Sequence, residues 1–278
     1  MFQNRQLVIA TKHQKERVLA PLLEEALGVT CIVHPALDTD ELGTFTGEVE
    51  RTLDPVAAAR EKCKRAMQLT GCDIAVASEG SFGPHPILFF TAADEEFLLL
   101  LDARHNIEIV VREISTHTNF NGREVTSEEE LMAFAEEAGF PSHALILRHS
   151  NTSLEDVHKG ITEKQQLMHL FTQLRATSHS VFVQTDMRAM HNPTRMQVIE
   201  QAAVKLIQKI QSLCPHCQMP GFDVVDVRKG LLCSLCGRPT DSALSLIYRC
   251  THCAHTTETM YPQQKETEDP AYCNHCNP

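Results

Sequence analysis

Eight of the chain's eleven cysteines stand in four C-x-x-C pairs within its last 65 residues: Cys214/Cys217, Cys233/Cys236, Cys250/Cys253 and Cys273/Cys276. Two cysteines so spaced on a tight turn can aim both thiolates at one metal ion. Four pairs complete two tetrahedral zinc sites with nothing left over. Successive pairs are separated by 15, 13 and 19 residues. Joining first with second and third with fourth gives two sites of zinc-ribbon form, and this sequential pairing is the expectation. An interleaved cross-brace, first with third and second with fourth, is the alternative. Each site has four thiolates and no open position, so its Zn2+ is structural and contributes on the order of 10 kcal/mol to folding. His216, His252, His255 and His275 lie beside the ligands and have no coordination role in a complete all-cysteine set.

Disulfides are the competing use of these thiols. The first residues, MFQNRQLVIATKHQKER, hold no apolar signal core, and Cys31, Cys63 and Cys72 are scattered. Both features point to a reducing, cytoplasmic setting. No apolar run approaches the length of a membrane span. The net charge is -11. Residues 212–278 carry five Lys/Arg and seven Asp/Glu, and residues 1–211 carry twenty and twenty-nine. Zinc ribbons that grip nucleic acid need cations to displace counterions, so this acidic ribbon argues against a nucleic-acid partner and for a protein contact or a stabilising role.

The elements that must position any chemistry alternate. Strands are expected at Gln6–Ala10, Thr30–Val33, Asp73–Ala77, Ile87–Thr91, Phe97–Leu101, Ile107–Ile114, Ala144–Leu147 and Val181–Gln184. Helices are expected at Lys15–Leu27, from Asp54-Pro55 to Thr70, from the capping box Ser127-x-x-Glu130 to Ala138, at Thr162–Ala176 and at Pro193–Ser212. The pattern predicts an α/β fold: a mixed sheet flanked by helices over 1–211, then a small double zinc ribbon over 212–278. The last helix feeds directly into the first cysteine pair.

Three loops carry the remaining chemistry. Thr11–Lys15 places a cation at the start of a helix, against its dipole, as an anion-binding turn would. Ser78–Pro86, SEGSFGPHP, offers Glu79 as a Mg2+ ligand. Thr185–Arg195, TDMRAMHNPTR, brings Asp186, Arg188 and, in the first turn after the N-cap Asn192, Arg195. The structural alternatives are a solvated turn for the first and a tight connection for the second. For the third the alternative is an Asp186–Arg188 or Arg195–Glu200 ion pair.

The runs GTFTGEVER, ASEGSFGPHP, TDMRAMHNPTRM and the four cysteine pairs resemble a bacterial family defined by a domain of unknown function. More distantly, the N-terminal part resembles the inosine triphosphate pyrophosphatase superfamily with its Maf-like members. The likeness rests on LVIATKHQK, AAAREKCKRAM, the acidic turn at Ala77–Ser81 and His191–Arg195. The first loop is one residue shorter than in those enzymes, with His13 for Asn, and the acidic turn holds one carboxylate. That resemblance implies phosphate binding by Lys15 and Arg195, Mg2+ at Glu79 and a dimer. The expectation is a Mg2+-dependent phosphohydrolase of a nucleotide or related phosphate, with Glu79 and a second carboxylate, Asp186 or Glu48, on the metal and Lys15, Arg188 and Arg195 on the phosphates. The alternative is a non-catalytic anion-sensing or adaptor protein whose ribbon contacts a partner.

Overall fold

The computed structural model describes residues 1–37 and 53–278. Glu48 and the GTFTGEVER motif lie outside the described residues. The chain divides into two compact units, Met1–Leu206 and Ile207–Pro278.

In the first unit a five-stranded mixed sheet has the order β2-β1-β3-β4-β5. Its strands are β1 (Gln6–Ala10), β2 (Thr30–Ile32), β3 (Ile74–Pro84), β4 (Ala92–Asp102) and β5 (Ile107–Ser115). The first three are parallel and the last two antiparallel. Helix α1 (Glu16–Leu27) links β1 to β2, and α2 (Pro55–Thr70) links β2 to β3. Because β2 and β3 lie on opposite sides of β1, right-handed crossovers place α1 and α2 on opposite faces. The pleat follows suit. Val8, Ala10, Ala75, Ala77 and Leu99 pack on Ala59, Cys63 and Ala66 of α2. Asp54 caps α2, its carboxylate accepting from the amides of Val56 and Ala57, and Pro55 begins the helix as its fixed φ allows.

A second sheet, β6-β9-β7-β8, is wholly antiparallel. It comprises β6 (Gly122–Val125), β7 (Leu145–Arg148), β8 (His158–Ile161) and β9 (Val181–Thr185). Leu145, Leu147, Val181 and Val183 form one core with Leu131 and Phe134 of α3 (Glu128–Ala138) and Leu167 and Phe171 of α4 (Lys164–Arg175). The capping box forms: Ser127 Oγ accepts from the Glu130 amide. Helix α5 (Pro193–Gln211) closes the unit and runs on into the second.

That second unit holds a three-stranded antiparallel sheet of β10 (Asp223–Lys229), β12 (Ala243–Arg249) and β13 (Thr256–Met260). A short parallel pair joins β11 (Leu232–Cys233) to β14 (Thr267–Glu268). Its core cluster of Cys214, Phe222 and Cys250 is far smaller than those of the first unit. Among the described residues no helix is long and apolar enough to cross a membrane.

The expected α/β class stands. Two expectations do not. Ser78–Pro84 is strand, because all eleven residues of β3 pair with β4. Ile87–Thr91 is the turn of that hairpin, closed by His85 N–H to Thr91 O and by His85 Nδ1, which accepts from the amides of Ile87 and Leu88. Strands β6 and β8 escaped the sequence reading, being four residues each.

At one end of the first sheet Arg5 clamps β1 to β3 and β4, with Nη2 2.7 Å from Asp73 Oδ1 and Nη1 2.7 Å from the enclosed Asp102 Oδ2. Burial pushes the Asp102 carboxyl up, but Arg5 and His105 hold it net below its ordinary value. Its contribution to stability is therefore present near neutrality and lost as pH falls through the folded value. Arg5→Met strands a buried carboxylate and should cost about 3 kcal/mol near neutral pH. Chemical denaturation should show that deficit shrinking in acid, as Asp102 becomes neutral. A pH-independent deficit would contradict this.

Candidate functional site

Strand β1 stops at Ala10, opposite Ala77, while β3 continues to Pro84 beside β4 alone. The loop Thr11–Lys15 follows β1 and reaches β3 through Lys15. Lys15, the N-cap residue of α1, is buried and places Nζ 2.7 Å from Ser78 Oγ. Ser78, Gly80 and Phe82 share one face of β3, and their register partners Leu98, Glu96 and Asp94 share it on β4.

Arg195 reaches the same face from α5. Asn192 caps that helix, its Oδ1 accepting from the Arg195 amide at 3.0 Å. The Arg195 guanidinium then turns inward, with Nε 2.6 Å from Glu96 Oε1 and Nη1 2.5 Å from Met187 O, and lies 5.0 Å above the Phe82 ring. Arg195 and Glu96 side chains are both 0% exposed. A Cβ at Gly80 would sit 2.5 Å from Arg195 Nη2 and 2.6 Å from Glu96 Oε1, so only glycine leaves room for the pair.

Beside this pair Asp94 is also 0% exposed; its carboxyl lies against that of Glu96, and no N–H donor among the described residues reaches either of its oxygens or Glu96 Oε2. The Asp94 carboxyl is pushed up to about 8, first by burial and then by Glu96, against the pull of Arg195 and Lys15. The Lys15 ammonium is pushed down to about 7, first by burial and next by Arg195, with Glu96 and Glu79 opposing. Two carboxylates in contact inside a protein stay charged only with a cation between them; otherwise they share a proton.

The residues expected to act therefore fall into three groups. Lys15 and Arg195 converge. Arg195 is held by a buried acid, Glu96, and not by Glu200, which answers its unfavourable place at a helix start without a bound anion. Glu79 lies on the opposite, α2-facing side of β3, where Lys62 of α2 binds it. It is near enough to raise the proton affinity of Lys15 but belongs to another ion pair. Asp186 and Arg188 pair with each other, Arg188 Nη2 lying 2.6 Å from Asp186 Oδ2, and Asp186 also accepts from the Gly160 amide. The structural alternative holds for that turn. The acids that do join Lys15 and Arg195 are Asp94 and Glu96, which the sequence reading missed. Their signal was the acidic run Asp94-Glu95-Glu96 opening the otherwise apolar stretch AADEEFLLLL, whose first and third acids share the face of β4 that carries Leu98.

The cysteines form two groups able to hold metal ions, Cys214/Cys217/Cys250/Cys253 and Cys233/Cys236/Cys273/Cys276. The expected sequential pairing is thereby corrected to the cross-brace. Strand pairing is the cause: Asp223 of β10 sits opposite Arg249 of β12, which brings the first knuckle to the third. Pairing of Cys233 with Glu268 brings the second to the fourth. Each knuckle closes alike, the amides of Gln218, Gly237, Ala254 and Asn277 donating to the carbonyls of Cys214, Cys233, Cys250 and Cys273. Sulfur–sulfur distances across the groups are 3.7 and 3.6 Å in the first and 3.8 and 3.7 Å in the second.

Residues 62–278 match the family model described as Domain of unknown function (DUF6671). The chain belongs to the DUF6671 family. No curated protein matches it. Among solved structures it is similar to the crystal structure of protein VC0702 from Vibrio cholerae, at 10% identity and a TM-score of 0.33, over 74% of this chain and 94% of that one.

Two outcomes test this DUF6671 site. In the folded protein Asp94 keeps a proton that the unfolded chain releases near 3.8, so the parent loses stability as pH rises from there towards about 8. Asp94→Asn should melt higher than the parent by a margin that widens over that range and then levels; a constant margin would contradict it. Metal analysis tests the cross-brace. Cys217→Ser with Cys250→Ser damages one group and should leave one equivalent of metal per chain. Cys217→Ser with Cys233→Ser damages both and should leave none. Sequential pairing would give the reverse.

Proposed function

We propose that the first unit is a Mg2+-dependent phosphohydrolase acting on a nucleotide or related phosphate compound, and that the second is a structural zinc module. One observation carries the catalytic reading: the buried Asp94 and Glu96 carboxyls lie against each other, no N–H donor among the described residues reaches either oxygen of Asp94 or Oε2 of Glu96, and Lys15 stands beside them. That donor set suits a hard divalent cation, which prefers one or two carboxylates and fills its remaining positions with phosphate and water. Bound there, Mg2+ would supply Lewis-acid charge and a water of lowered pKa.

The chain's own groups divide the remaining work. Lys15, its ammonium pushed down to about 7, regains its charge beside a phosphate and then offsets negative charge developing on it. Ser78 Oγ fixes the direction of that ammonium. Arg195, enclosed and bound to Glu96, is a positioning residue: it orients one Glu96 oxygen and leaves the other for the cation. Burial strengthens each of these interactions relative to water. This assigns to Asp94 and Glu96 the metal role expected of Glu79, and the distant resemblance to Maf-like enzymes accords with the reaction class.

For the second unit, a zinc ion with bonds of about 2.3 Å to four sulfurs at tetrahedral angles sets sulfurs about 3.8 Å apart, close to the separations found. With every position filled by thiolate, the metal holds the module together and does no chemistry.

The reaction is tested by screening nucleoside triphosphates and simpler phosphate esters with Mg2+ or Mn2+. Turnover is expected, lowered about a hundredfold or more by Asp94→Asn and by Lys15→Met, and within a few-fold of the parent in Glu79→Gln. Absence of turnover on all of them, or full activity in Asp94→Asn, would reduce the cluster to a buried ionic core.

A further inference from the structure

A second feature lies a short way along the same hairpin. A cavity of about 450 Å³ opens between the tip of β3–β4 and the helix-free face of the second sheet. Its size falls in the range of small-molecule sites. None of its twelve lining residues is charged. Four are phenylalanines: Phe89 and Phe90 from the hairpin turn, Phe120 ahead of β6 and Phe182 of β9. Phe89 and Phe90 are 81% and 80% exposed, so two large apolar rings stand at the mouth with little to cover them. Gly122 is part of the lining, and its missing side chain matters: a Cβ there would press on Phe182 Cζ at 2.9 Å and Gln184 Cβ at 3.0 Å.

The polar lining is equally particular. Arg148, itself 5.2 Å from the Phe182 ring, donates to Gln184 Oε1 at 2.8 Å and to Asn151 Oδ1 at 3.1 Å. Arginine can only donate, so both amides must turn their oxygens to it. Their amino groups are then left facing elsewhere, and no described residue accepts from either. An uncharged, aromatic-walled cavity edged by N–H donors suits a flat heterocycle that carries carbonyl oxygens.

The cavity also joins the charged cluster through consecutive contacts. Phe120 stacks on Phe82 at 5.7 Å, and Phe82 carries Arg195. Ala92, in the lining, is two residues before Asp94 on β4, about 7 Å at the rise of a strand. Lys15 lies further off, at Ser78, six residues from the lining's Pro84 along β3 or about 20 Å at the rise of a strand, so a ring in the cavity meets the cluster first at its Asp94 end.

We infer that this aromatic and amide-edged cavity is a nucleobase subsite that prefers bases bearing ring carbonyls, such as uracil or guanine, over adenine. The inference rests on the phosphohydrolase reading for what lies beyond the sugar, but ring binding itself does not require catalysis.

Saturation-transfer NMR and calorimetry with nucleosides that lack phosphate, at millimolar concentration, separate the two. Uridine and guanosine should bind and adenosine should bind more weakly. Phe120→Ala should weaken all of them roughly tenfold, as loss of one stacking face does. Gln184→Glu keeps the shape and the Arg148 partner but exchanges a donor for an acceptor, so it should lower uridine and guanosine selectively. No transfer to any nucleoside, or binding unchanged by both substitutions, overturns the subsite. If nucleotide hydrolysis is found in that event, the catalytic reading stands alone. Nucleoside binding without hydrolysis of any phosphate supports the subsite and removes the catalytic reading.

Discussion

An arginine and a glutamate closed off from solvent, Arg195 and Glu96, set the terms for everything around them. Ion pairs so placed forfeit the hydration of both charges and survive only where geometry and further hydrogen bonds compensate. Here the compensation is visible in the Met187 carbonyl that accepts from Arg195, the Phe82 ring beneath it and the glycine that lets the two side chains approach β3. The pair also pins the first turn of α5 to the middle of β4. Its consequence for chemistry is indirect. By occupying one oxygen of Glu96 it brings the other beside Asp94, producing a concentration of negative charge that the interior cannot tolerate without a proton or a cation.

The cysteine-rich unit meets the same problem, buried charge in a small volume, by another route. Its apolar core is little more than Phe222 and two cysteines, too small to order some seventy residues unaided. Thiolates drawn from opposite ends of a three-stranded sheet supply the missing cohesion once a metal joins them. Interleaving has a mechanical advantage over sequential pairing: a metal in either group would tie together segments more than thirty residues apart, so neither half of the module is left to hold itself.

Much of this was legible in the sequence. Local signals gave the helices, since Asp54-Pro55, Ser127-x-x-Glu130 and Asn192-Pro193 each encode a cap that needs no tertiary partner. The convergence of Lys15 with Arg195 followed from where loops fall at the end of a sheet. What failed was whatever depended on pairing between distant strands. Ser78–Pro84 read as a loop because Gly and Pro weaken a strand locally, yet eleven ladder partners on β4 override that preference. Glu79 stands out in the sequence because it sits amid turn residues, whereas which face of the sheet Glu79, Asp94 and Glu96 occupy is fixed only by register. The cysteine spacing said which residues could hold metal but not which would share one, for the same reason.

The central claim is that Asp94 and Glu96 are held apart from solvent in order to take a divalent cation. A crystal structure of protein grown with Mn2+, read by anomalous scattering at the manganese edge, addresses it without reference to any substrate. The account predicts an anomalous peak about 2.1 Å from an oxygen of each carboxylate, with Lys15 close by. Clean density showing the two carboxyl groups joined by a single short hydrogen bond, and no anomalous signal between them, would contradict it.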